Sequence, residues 1–152
     1  NGFAFGVEHF FGEATFKHTA RHNDMKGSAT GVLTSGTNHA EAVLKDLNTF
    51  YIETPGLTPL GIFLKVGWSE VDLVTKEVMF TGASYGDASI DGAMVGGGFK
   101  KSVGHFTIKT EVSYTDWDSI KLTNAGTATV GASSITATPE LWAGKIGIGV
   151  QF

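Results

Sequence analysis

The stretch "ELWAGKIGIGVQF" (residues 140–152) alternates along nearly its whole length. Trp142, Ile146, Ile148, Val150 and Phe152 fall on one side of an extended chain, with Ala143, Lys145, Gly147, Gly149 and Gln151 on the other. Successive strand side chains point to opposite faces, so the stretch predicts a strand with one greasy face and one small or charged face. Chain termini normally fray in water and carry soluble residues. An ending this regular reads as the closing strand of a larger sheet.

The same alternation recurs upstream. In "GFAFGVEHFFGEATFKHT" (2–19), Phe3, Phe5, Val7, His9 and Phe11 oppose Ala4, Gly6, Glu8 and Phe10. That run is long for one strand: it predicts either a strand bulged near Phe10–Phe11 or a hairpin turning at Gly12–Glu13. Further strands are expected in "LNTFYIET" (47–54), "GIFLKVGWSEVDLV" (61–74), "SIDGAMVGGGF" (89–99) and "FTIKTEVSYTDWDSIKL" (106–122). Residues 39–47, "HAEAVLKDL", read as a helical turn or two, or as an extension of the next strand. Six strands result if 3–19 is one strand, seven if it is a hairpin.

The connections alternate in length. Segments 20–46, 75–87 and 123–138 are long and rich in Ser, Thr, Gly, Ala and Asn, whereas 55–59 and 101–104 are short. Long loops at one end and tight turns at the other are the habit of transmembrane β-barrels. A soluble sandwich has no reason for that asymmetry.

Composition points the same way. The 152 residues make one domain, with 21 Gly, 3 Pro and no Cys, so no disulfide or thiolate metal site is available. Charged residues are 17% of the chain, against about 25% in ordinary soluble domains. A net charge of −4 without a long basic run points away from nucleic acid. No apolar run approaches the length of a membrane helix, no signal segment opens the sequence, and the start at Asn1 rather than Met reads as processed or trimmed.

In a soluble barrel the apolar set would face inward, leaving glycines, Ala143 and scattered single charges as thin cover against water. In lipid the alternation is inverted, with apolar side chains outward and small or charged ones inward. Trp142 and Phe152 are ten residues apart on the apolar side, about 25 Å along the membrane normal at ordinary strand rise and tilt. That is the spacing of two aromatic girdles, which Trp68, Phe99, Phe106 and Tyr114 would join with them. Lipid also demands that every backbone amide be paired, hence a closed barrel.

The closing "ELWAGKIGIGVQF" with its terminal Phe152 resembles the C-terminal signature of bacterial outer-membrane β-barrels. "GAMVGGGFKKSVGHFTIKTEVSYTDWDSIKL" resembles the late hairpin of small barrels of the opacity-protein and OmpA-like class, and "TPLGIFLKVGWSEVDLV" the strand before it. The resemblance is close over about residues 45–152 and loose over 1–44. It implies an antiparallel up-and-down barrel in the outer membrane, and recognition of Phe152 by the barrel-assembly machinery. It implies eight strands, so one or two N-terminal strands, two by the even count, are expected to be missing from the single domain 1–152. The role implied is a non-catalytic scaffold among outer-membrane lipids, presenting long external loops to an extracellular ligand or supporting the envelope. A narrow channel for small solutes, a lipid A-modifying enzyme and a soluble lipocalin-like binder are the rivals. No cofactor is expected, and the sequence leaves the oligomeric state open.

With the faces so assigned, Glu8, Glu53, Lys65, Lys109, Glu111 and Lys145 enter the lumen, three acids and three bases. Buried charges are costly unless paired, and an eight-stranded barrel leaves room inside only for side chains. Interlocking ion pairs that plug the bore are therefore expected. His18 and His22 are four apart, about 13 Å on a strand and too far to share a metal. His18, His105 and the many serines match no local motif of the lipid-modifying enzymes. "GGGFKKS" (96–102) lacks the pattern of a phosphate loop, with Phe99 where a glycine is needed before Lys100. No catalytic or metal site is expected.

Overall fold

Val66 pairs with Ile52 on one side and with Val95 on the other, at the middle of a six-stranded antiparallel sheet. The computed structural model describes residues 2–27, 31, 33–57, 59–80, 82, 84–124 and 133–150, of which 16–27, 33 and 133 are described by backbone alone. Its strands are β1 (Ala4–Gly27), β2 (Leu33–Glu53), β3 (Ile62–Val78), β4 (Ala88–Val103), β5 (Phe106–Trp117), β6 (Ile120–Asn124), β7 (Ser133–Ala137) and β8 (Glu140–Val150). The main sheet runs β1-β2-β3-β4-β5-β8 and curls into a half-barrel, while β6 and β7 form a separate two-stranded ladder. No helix occurs among the described residues. The fold is all-β, and each strand pairs antiparallel with its neighbour.

The first run is one strand. β1 pairs continuously in direction with β2 from Ala4↔Glu53 to Gly27↔Leu33, and the register slips between Phe10 and Glu13. The two adjoining aromatics thus mark a bulge, and the alternative of a hairpin at Gly12–Glu13 is excluded. Helical spacing in "HAEAVLKDL" also gives way to strand. A slip in the β2–β3 register between Lys45 and Asn48 shifts its phase. Asp46 takes a positive φ of 52° at that slip, and the Asn48 Nδ2 donates to its carbonyl at 3.0 Å. A bulge of this kind breaks a period of two and so counterfeits helical spacing.

The long connections are largely strand. β1 reaches Gly27 and β2 begins at Leu33, so most of 20–46 continues the ladder; β3 and β4 leave 79–87 between them. Of 123–138, residues 133–137 form β7 and 125–132 lie outside the described residues. Ser, Thr and Ala along a strand leave no greasy stripe in the sequence, and that is why the sequence reads there as loop. At the other end the turns stay compact: Gly104, with φ 61°, reverses the chain between β4 and β5. β1 and β2 span 24 and 21 residues, about twice what a bilayer needs at ordinary tilt.

Candidate functional site: a charged concave face beneath an apolar layer

Alternation sends Phe63, Lys65 and Ser69 of β3 to the concave face, where they are 0%, 1% and 1% exposed. Leu64, Val66 and Trp68 between them are half exposed on the convex face. Adjacent β2 contributes Glu53 and Thr49, and β5, on the far side of β4, contributes Glu111, Ser113 and Thr115, all buried. In this half of the molecule polar groups are inside and apolar groups outside.

The six inward charges expected from the sequence form one network. Lys65 Nζ lies 2.5 Å from Glu8 and 3.0 Å from Glu111. Lys109 reaches Glu53 at 2.5 Å and Glu111 at 3.2 Å. Lys145 binds Glu8 and lies 3.4 Å from Glu111. A seventh member, Lys100, sits 2.7 Å from Glu53. It follows Phe99 on β4, so the period of two turns it inward with Gly96 and Gly98, but the strand expected from the sequence stops at Phe99, one residue short of it. The Lys65 ammonium also stands 3.8 Å from the Tyr51 ring centroid, and Lys109 4.5 Å from that of Phe63, both within cation–π range.

Glycines make room for these long side chains. Lys65 is paired with Gly96, Glu111 with Gly98 and Lys109 with Gly147, while Tyr51 stands between Gly6 and Gly67. Missing side chains on one strand provide the space that the neighbouring strand fills.

β1 and β8 are the edges of the sheet. Glu8 of β1 and Lys145 of β8 nevertheless form an ion pair, so the curl brings the two edges together through side chains.

On the convex face, Trp68, Phe99, Phe106 and Trp142 are 50%, 54%, 60% and 70% exposed. Tyr114 packs against Trp142 with ring centroids 4.9 Å apart. Phe152 lies outside the described residues, as do the side chains of His18 and His22. Among the described residues no three His, Asp or Glu side chains gather as a metal site. His9 is engaged by Asn48 at 2.6 Å, and "GGGFKKS" lies on β4 with no helix after it.

The polarity reverses toward the end carrying the long hairpins, and the sequence reading had no sign of this. There the concave face holds Leu44, Val71, Leu73, Ile90, Trp117 and Ile120, packed as one cluster. The convex face at that level carries Glu70, Asp72, Asp91, Asp116 and Glu140, all exposed. Lys45 and Lys76 pair there with Glu13 at 2.5 and 3.0 Å. The strand breaks at 118–119 and 138–139 let the β6–β7 hairpin swing in, so that Ile120 joins the cluster with Leu122 and Ala137 against it. The Glu13 carboxyl is held below its ordinary range, first by the hydrogen bond from Lys45, and Lys45 is raised by the same bond.

No family model matches the sequence, and neither a curated protein nor a solved structure matches the chain.

Proposed function

We propose that the chain is an integral barrel of a bacterial outer membrane, resembling the opacity-protein and OmpA-like class, acting as a non-catalytic scaffold. One observation carries the reading: the reversal of polarity along β3, β4, β5 and β8. Toward the short turns the sheet has charges inside and Leu64, Val66, Val95, Ile108 and Ile146 outside, the arrangement suited to lipid. Toward the long hairpins it has an apolar interior and a charged exterior, the arrangement suited to water. A single sheet with both is suited to sitting in a bilayer and projecting from one side of it.

The interior supports a scaffold over a channel. Each of the seven charges in the network has an opposite partner, and the apolar cluster lies in line beyond them. Ions entering the bore would meet first a satisfied network and then a greasy layer. The exposed hairpins would meet external ligands, and the closing strand would meet the barrel-assembly machinery. Two further strands between β1 and β8 would complete eight and remove both open edges, which lipid does not tolerate.

Gel mobility of the detergent-extracted protein with and without boiling tests this. A closed membrane barrel stays folded unboiled and migrates differently. Absence of any shift, with recovery in the soluble fraction, would overturn the reading.

A further inference from the structure

Between β1 and β8, above the Glu8–Lys145 pair, lies a cavity of about 430 Å³, a volume in the range of small-molecule sites. Phe10, Leu44, Leu47, Val71, Trp117 and Leu141 make its walls greasy. Lys145 and Glu8, paired with each other, stand on its lining, whereas the ammonium of Lys45, another lining residue, is held by Glu13. Trp117 is 2% exposed, and its indole Nε1–H has no hydrogen-bond partner among the described residues. A buried donor left unmade is expensive, so this wall asks for an acceptor.

We propose that this cavity binds a fatty-acyl amphiphile: an acyl tail against the apolar wall, with anionic or carbonyl oxygens toward Trp117 and Lys145. The tail matches the walls. The oxygen supplies what Trp117 lacks, and the adjoining network, with four lysines against three glutamates, favours a negative head. Free fatty acid and a membrane lipid's acyl chain share that chemistry. The walls are strands of this chain, so further strands between β1 and β8 would roof the cavity. The proposal stands apart from the membrane reading, because a greasy pocket with a polar anchor binds the same ligand wherever the protein resides.

Three tryptophans occur in the chain, so Trp68→Phe with Trp142→Phe leaves Trp117 as sole emitter. The double variant, in detergent, is titrated with a fatty acid brominated along its chain, and separately with a phosphatidylcholine brominated on its acyl chains. The expected result is saturable quenching of Trp117, removed by Ala143→Phe, which fills the cavity. Lys145→Gln should weaken the fatty acid at least about tenfold, the worth of one charge-assisted hydrogen bond. Saturation by the fatty acid alone identifies free acid as the ligand; saturation by both extends it to membrane lipid. Quenching that rises linearly with the detergent mole fraction, as for a control variant keeping only Trp68, would overturn the proposal. So would no quenching in a sample whose Trp117 emission still shifts on denaturation. The boiling shift is read separately, so failure of the barrel reading and failure of the cavity are distinguishable.

Discussion

Lys65 Nζ donates to both carboxylate oxygens of Glu111, at 3.0 and 3.2 Å, across the intervening strand β4. Both residues are buried. Taking either charge from water costs several kcal/mol, and the pair offsets this only while both partners are present. Lys65→Met should therefore destabilise the fold by about 3 kcal/mol, the lower end for breaking a buried pair, because Glu111 keeps Lys109 and Lys145. Lys65→Met with Glu111→Leu should recover most of that loss, since Lys109 retains Glu53 and Lys145 retains Glu8. Urea unfolding of the protein in lipid vesicles measures both. A double variant weaker than the single would contradict this account of the network.

The reversal of polarity makes one strand a test of itself. Val66 and Asp72 both lie on the convex face of β3 and both are exposed. Val66→Arg in lipid should cost about 2–4 kcal/mol, the value for a charge near the bilayer midplane. Asp72→Arg should change stability by less than about 0.5 kcal/mol, as surface substitutions in water do. Equal costs in the same vesicles would remove the argument that only the lower half meets lipid.

Much of this was legible from alternation alone. Leu64, Val66 and Trp68 against Lys65 and Ser69 fixes which side of β3 is which, and the six inward charges follow from that phase. What escaped is where a local rule changes meaning. Val71 and Leu73 continue the phase of Lys65 and Ser69, yet they are apolar. A period of two says which residues share a face, and it is silent on whether that face meets lipid, water or other side chains. The slips at Phe10/Glu13 and Lys45/Asn48 differ in the same way. Two adjoining aromatics betray the first, whereas the second hides inside a segment of good helix formers. Ser- and Ala-rich ladders toward the long hairpins lack the greasy stripe by which strands are recognised.

The apolar layer predicts its own mutational cost. Leu73 is 4% exposed and packs with Val71, Ile90 and Trp117. Leu73→Ala should lose about 3 kcal/mol, because a packed interior collapses only partly around a missing side chain. Leu64→Ala, facing outward on the same strand, leaves no internal cavity and should lose less. Thermal unfolding of both variants in one detergent compares them. An equal loss would mean that the cluster is not a packed core.

The Glu13–Lys45 pair gives the outer face a pH signature. Glu13 titrates below its ordinary value in the folded chain, chiefly through the Lys45 hydrogen bond. Its contribution is therefore present above the unfolded value of about 4.3 and is lost as pH falls through the lower folded value. Lys45 titrates above its ordinary value, chiefly through Glu13. Its contribution is present below about 10.4 and is lost as pH rises through the folded value. Stability should consequently show a plateau from about pH 5 to about pH 10 on account of this pair, with a fall on either side. The groups are solvent-exposed, so the effect should be small and should shrink with added salt. Unfolding midpoints of the wild type and Glu13→Gln, followed across pH at low ionic strength, isolate it. Glu13→Gln should flatten the part of each limb that this pair causes, and an unchanged acid limb would show that the fall below pH 5 belongs to other carboxylates.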